Sequence, residues 1–189
     1  MMNRPMVNLD QVMYQRKEFI TIDDLTTYRR PRVQLHVQGI VLRDEILGTL
    51  IKTKQQQVCR AGDFLVAEID AKVGGFGIVP SNLNGYIVSS HYFLFNIDET
   101  QLDHKFLNYY IRTSTFREQV KARGSTNYAA IRPNDVLGYK IPLPSLSEQR
   151  RIVTLALKME ELKDLQKDIV AELDALMTAI LAKAFKGEL

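Results

Sequence analysis

The sequence predicts an α+β domain, a twisted mixed β-sheet with short helices, followed by one long C-terminal coiled-coil helix. Hydrophobic residues alternate with period two in the first part and recur in heptads in the last. Between the two, a proline pair is followed at once by a helix-start signal. The expected division is a globular domain over residues 1–144 and a helix over 145–189. At 189 residues, 46% hydrophobic and 25% charged, the chain has the make-up of an ordinary globular protein, long enough for one solid core.

In the first part Val33, Leu35 and Val37 alternate with Gln34, His36 and Gln38, the pattern of a half-buried strand. Further strands are expected at Phe64 to Ile69, Gly77 to Val79, Tyr86 to Ser89 and Tyr92 to Ile97. Gly74, Gly75, Gly77, Pro80 and Asn84-Gly85 separate them as turns. Asp103 to Arg112 and Thr115 to Arg123 read as two short helices, the first burying Phe106, Leu107, Tyr110 and Ile111.

The boundary lies in Ile141-Pro-Leu-Pro-Ser-Leu-Ser-Glu-Gln-Arg150. Pro142 and Pro144 bar a continuing helix, and Ser145 with Glu148 has the spacing of a capping box. Beyond it Ile152, Leu155, Met159, Leu162, Gln166, Ile169, Leu173, Leu176 and Ile180 recur at alternating steps of three and four. No proline or glycine falls between Ser147 and Ala184, so the helix can run for about 38 residues, ~57 Å. An amphipathic helix folded onto its own domain would satisfy the same pattern. The length and strict register favour a coiled coil, and the chain offers no second helix of that length to fill the seam. The partner helix is therefore expected from another molecule, with Gln166 setting register at some cost in stability.

Composition narrows the function. No apolar run approaches the eighteen or so residues of a membrane span, and Met1 to Asp10 lacks the apolar core of a signal peptide, so a cytoplasmic location is expected. The one cysteine, Cys59, excludes an internal disulfide and reads as a buried, inert thiol. His36, His91 and His104 are widely spaced, and no metal site or cofactor is expected. Net charge is +3, but its distribution is uneven: Met1 to Pro144 carries 18 Lys+Arg against 14 Asp+Glu, and Ser145 to Leu189 carries 7 against 8.

From Tyr28 to Arg60, Arg29, Arg30, Arg32, Arg43, Lys52, Lys54 and Arg60 face only Asp44 and Glu45. A solvated basic face would produce that excess, and so would a DNA-binding surface. Lys and Arg neutralise phosphates, Arg can fork onto guanine, and Gln can pair bidentately with adenine. The candidate DNA-binding residues are Arg29, Arg30, Arg32, Lys52, Lys54 and Gln55, together with Arg123, Ser125 and Asn127 in a polar loop. Enzymatic readings find less. Asp63 with Asp70-Ala71-Lys72 is the faint outline of a magnesium-dependent nuclease. Val73-Gly-Gly-Phe-Gly77 has neither dinucleotide nor P-loop spacing and reads as a turn. There is no GxSxG and no Asn-Pro-Pro-Tyr motif.

Ile141-Pro-Leu-Pro-Ser-Leu-Ser-Glu-Gln-Arg-Arg-Ile-Val153 closely resembles the junction in type I restriction-modification specificity subunits where a target-recognition domain meets a long conserved helix. Ala182-Lys-Ala-Phe-Lys-Gly-Glu-Leu189 is similar to the end of that helix. Gly62 to Asp70, Gly74 to Pro80, Gly85 to His91, Phe106-Leu-Asn-Tyr-Tyr110 and Gly124-Ser-Thr resemble the recognition domain. The resemblance covers the chain from about Gly39 onward. It implies a non-catalytic subunit that binds double-stranded DNA and scaffolds methyltransferase subunits, in some members with restriction subunits, while S-adenosylmethionine is held by the methyltransferase. Typical members have two recognition domains and two helices, whereas this sequence has one of each. Ala67-Glu68-Ile69 replaces a common Ser-Arg-Ile, removing a cation. An unpartnered seam with a single recognition domain implies a homodimer through an antiparallel coiled coil, or pairing with a different half-subunit, reading a bipartite DNA site. A nuclease, or a coiled-coil adaptor that no longer reads DNA, are the competing functions.

Overall fold

A computed structural model of the protein describes residues 5–120 and 130–188. Its first strands are β1 (Met6–Asn8), β2 (Met13–Arg16), β3 (Phe19–Thr21), β4 (Thr27–Gln34), β5 (Gly39–Leu47) and β6 (Gln55–Val58). There follow β7 (Phe64–Ala67), β8 (Phe76–Ile78), β9 (Ile87–Val88) and β10 (Tyr92–Ile97), then α1 (His104–Tyr110), α2 (Ser114–Arg117), α3 (Pro133–Leu137), β11 (Lys140–Pro142) and α4 (Leu146–Lys186). The α+β class and the long final helix are as expected. Two compact units divide between Arg150 and Arg151.

In the first unit the strands form four small sheets, ordered β1-β11, β2-β10-β7-β8, β3-β6-β9 and β4-β5. Their ladders are antiparallel. β7 is buried along its whole length, which explains its unbroken Phe-Leu-Val-Ala run. Phe64 stands between Phe76 and Phe95, with ring centroids 6.0 and 6.2 Å away, and Phe76 continues edge-on to Phe116 at 5.5 Å. Phe116 in turn meets Tyr110 and Tyr139, tying α1 and α2 to the sheet.

The β4–β5 hairpin lies over a second part of the core. Val33 and Ile40 pack with Cys59, Leu65, Val79, Leu83, Val88 and Leu94. Nearer the open end, Tyr28 and Ile46 pack against Ile22, Ile51 and Ile87. The two-residue alternation over Val33 to Gln38 does not continue as one strand. β4 ends at Gln34, and the chain reverses through His36 and Val37, both in the left-handed region with φ of 59° and 57°. Such angles are unfavourable for a β-branched residue. Val37 is held there by burial and by its N–H, which donates to the Gly74 carbonyl at 3.0 Å. Gly74, at φ 80°, allows the approach, since a Cβ there would come within 2.9 Å of the His36 Cα.

Other expectations need different bounds. The strands foreseen at Phe64 to Ile69, Gly77 to Val79 and Tyr86 to Ser89 are Phe64–Ala67, Phe76–Ile78 and Ile87–Val88, and Tyr92–Ile97 is as foreseen. α2 spans Ser114–Arg117, so the helix expected over Thr115 to Arg123 starts one residue earlier and has ended by residue 118, while residues 121–123 lie outside the described residues. Its Thr113 cap receives the Phe116 N–H, and the chain turns once Phe116 is buried.

At the end of this unit, Ser145 and Glu148 form the expected capping box. The Ser145 N–H donates to Glu148 Oε2 at 3.3 Å, and the Glu148 N–H to Ser145 Oγ at 3.4 Å. Gln149 is fully buried. Its amide donates to the carbonyls of Gln101 and Pro144, and its oxygen accepts the Asp103 N–H, so one side chain ties the β10–α1 loop and the β11–α4 connection to the helix start.

α4 is 41 residues long, ~62 Å at 1.5 Å per residue. Leu155, Met159, Leu162, Ile169, Leu173, Leu176 and Ile180 are exposed along it, Gln166 is exposed in the same row, and Ile152 is half-buried. Leu165, Val170 and Met177 widen the exposed apolar stripe. Among the described residues no helix is long and apolar enough to cross a membrane.

Candidate nucleic-acid interface

The basic excess between Tyr28 and Arg60 is carried on the β4–β5 hairpin and the loop into β6. Much of it is neutralised internally. The hairpin register sets Arg29 opposite Glu45 and Arg30 opposite Asp44. Arg29 Nε donates to Glu45 at 2.6 Å and its Nη1 to the Tyr86 hydroxyl at 3.2 Å, with the guanidinium 5.7 Å from the Tyr86 ring centroid. Arg30 grips Asp44 through a two-pronged pair of 2.8 Å bonds. That hydrogen-bonded guanidinium holds the Asp44 carboxyl below its usual range.

The remaining candidates divide in the same way. Lys54 is ion-paired with Asp24 and donates to the Gly48 carbonyl, and the Gln55 amide donates to Thr21 Oγ1 at 2.8 Å. Arg32 is exposed on β4 and Lys52 is exposed just before β6, and among the described residues neither side chain makes a hydrogen bond or ion pair. Arg123, Ser125 and Asn127 lie outside the described residues.

Arg30 and Lys52 meet at a cleft of about 370 Å³ between the hairpin and the β6 and β9 region. Its floor is apolar, with Ile46, Ile51, Ile87 and Val88, and its walls add Thr53, Gln56, Ser89 and Tyr92. A third cation of the cleft was not among the candidate DNA-binding residues: Arg43, whose Nε lies 3.3 Å from Asp44 Oδ2. Burial pushes the Tyr92 phenol up and Asp70 adds to this, while Arg43 and Arg32 act in the opposite sense, marking both cations as its neighbours. A signal for Arg43 was available. Pro31 has no N–H to give the ladder, and a proline within a strand pattern marks a bulge. The register shifts between Arg30 and Pro31, and Arg43 is the residue of β5 left without a partner.

The outline of a nuclease is not assembled. Asp63 is buried, ion-paired with Arg16, and accepts the Arg60 N–H at 2.7 Å. Asp70 and Lys72 belong to an exposed turn before Gly74. No group of three His, Cys, Asp or Glu among the described residues could hold a metal ion. Cys59 is fully buried, its thiol facing the Tyr86 and Leu83 carbonyls, and burial pushes it up to about 11.

The first unit thus carries a cationic hairpin beside a cleft, and a 41-residue helix follows it. Residues 10–177 match the family model described as type I restriction modification DNA specificity domain, and the chain belongs to that family. Among solved structures it is similar to the HsdS subunit from Thermoanaerobacter tengcongensis, at 27% identity and a TM-score of 0.68 over 86% of this chain and 44% of that one. It is equally similar to a chain from a structure concerned with complex assembly and conformational transition of the type I R-M system, at 27% identity and TM-score 0.67, over 95% of this chain and 49% of that one. The S subunit of a type I restriction-modification system from M. genitalium shares the fold, at 18% identity and TM-score 0.55 over 88% and 42% of the two chains. The chain thus spans just under half the length of these structures. No match was found among curated proteins.

Proposed function

We propose that this chain is the DNA sequence-specificity subunit of a type I restriction-modification system, non-catalytic in itself. Two copies join through α4 in an antiparallel coiled coil, each presenting one recognition unit to double-stranded DNA. The assembly reads a bipartite, palindromic site and recruits methyltransferase subunits, which hold S-adenosylmethionine and perform the chemistry. A restriction subunit can join the same scaffold, and the complex works in the cytoplasm.

One observation carries this reading: a family match over residues 10–177 that includes one recognition unit and one long helix whose apolar row is exposed. Leu155, Leu162, Ile169 and Leu176 in water are unfavourable, since burying one such side chain is worth roughly 1.5–3 kcal/mol. A second copy supplies an equal row. Two-fold symmetry in the protein then imposes two-fold symmetry on the DNA site. The half-sites should stand about one helical turn, ~10 base pairs, apart.

The test is co-expression with the cognate methyltransferase subunit, with stoichiometry from light scattering and sequence preference from selection on a randomised DNA library. The reading expects two copies of this chain per complex and one enriched split sequence. Failure to retain methyltransferase, together with no enrichment, overturns it.

A further inference from the structure

We propose that Arg43 is a specificity-determining residue, reading guanine in the DNA major groove, and that Asp44 and Arg30 are positioning residues that aim it. The inference rests on the DNA-reading function proposed above and assigns a role within it. The argument begins at Pro31. Its missing N–H interrupts the β4–β5 ladder, and the register slips so that Arg43 is the extra residue on β5. A bulge of this kind turns a side chain away from the regular alternation of a strand. Here it leaves Arg43 on the wall of the cleft that also holds Lys52, Gln56 and Ser89.

What surrounds Arg43 fits reading better than simple charge. Its side chain is 58% exposed, so a ligand can reach it. The Nε faces Asp44 Oδ2 at 3.3 Å, and among the described residues its two terminal nitrogens have no partner. Those nitrogens form the fork that matches O6 and N7 of guanine. Asp44 cannot swing away, because Arg30 holds both of its oxygens at 2.8 Å. The carboxylate therefore orients the Arg43 guanidinium, with less rotamer freedom left to lose on binding than a solvated arginine would have. Lys52, on the same cleft, has no comparable guide and suits a phosphate, which a point charge satisfies from many directions.

The experiment is selection on a randomised DNA library by the methyltransferase-bound complex, comparing the wild type with Arg43→Ala, Arg43→Lys, Asp44→Asn and Lys52→Ala. In the wild type one position of each half-site should be guanine. Arg43→Ala and Arg43→Lys should both lose that preference, by roughly 10- to 100-fold at that position, with the other positions kept. Asp44→Asn should weaken the same preference partially, and Lys52→Ala should weaken all sequences alike. If Arg43→Lys reads like the wild type, or if Arg43→Ala weakens every sequence equally, Arg43 is a phosphate contact and the inference is wrong. A wild-type complex with no preference at all would instead overturn the DNA-reading function, and this role with it.

Discussion

Asp63 and Arg16 meet in a nearly dry site, with side-chain exposures of 1% and 12%. The pair joins β2 to the start of β7 and is completed by Arg60, whose N–H bonds Asp63 and whose side chain shares Glu18 with Arg16. A buried ion pair adds little over an apolar one, but breaking it strands a charge. Asp63→Asn should lower unfolding stability by about 3 kcal/mol, at the low end of the usual 3–5 because Glu18 still holds Arg16. A urea melt measures this, and an unchanged midpoint would show that the pair is dispensable. Cys59 offers a second check at this scale. With its thiol raised to about 11 and no solvent access, it should not react with a disulfide reagent at pH 8 until the chain is unfolded. Fast reaction in the native protein would contradict the buried placement.

At the scale of elements, α4 was legible because its signals are local: two prolines, a capping box and an uninterrupted heptad row. The strands were less so. β6 is Gln-Gln-Gln-Val, with no apolar alternation, yet Gln56 and Gln57 are buried because their amides bond the carbonyls of Thr53, Ser89 and Tyr92. The Gln57 partners lie 32 and 35 residues away, beyond the reach of a local pattern. The Val33 to Gln38 alternation misled for the opposite reason: a regular pattern runs through a turn that lacks the usual Asn-Gly and is held by Val37 and Gly74. Charge counting likewise pointed to the β4–β5 hairpin without distinguishing its arginines. The acids that hold Arg29 and Arg30 lie 16 and 14 residues away across the β4–β5 register. The seam of α4 makes its own prediction. Leu162→Asp with Ile169→Asp changes only exposed side chains, so helicity should persist while self-association is lost. Sedimentation at micromolar concentration reads this directly, and a variant that still dimerises would move the interface off the seam.

At the scale of the whole molecule, the central claim is that one reader and one helix make half of a symmetric DNA-specificity assembly. The chain spans just under half the length of the related S subunits, and in the proposed assembly two copies related by a two-fold axis supply two identical readers. The most direct measurement is single-molecule sequencing of DNA modified by the complex with its methyltransferase. The account predicts methylation on both strands of a split palindrome, with two identical half-sites separated by unread base pairs. A split asymmetric site would mean that a different half-subunit supplies the second reader, and a continuous unsplit site would contradict the account outright.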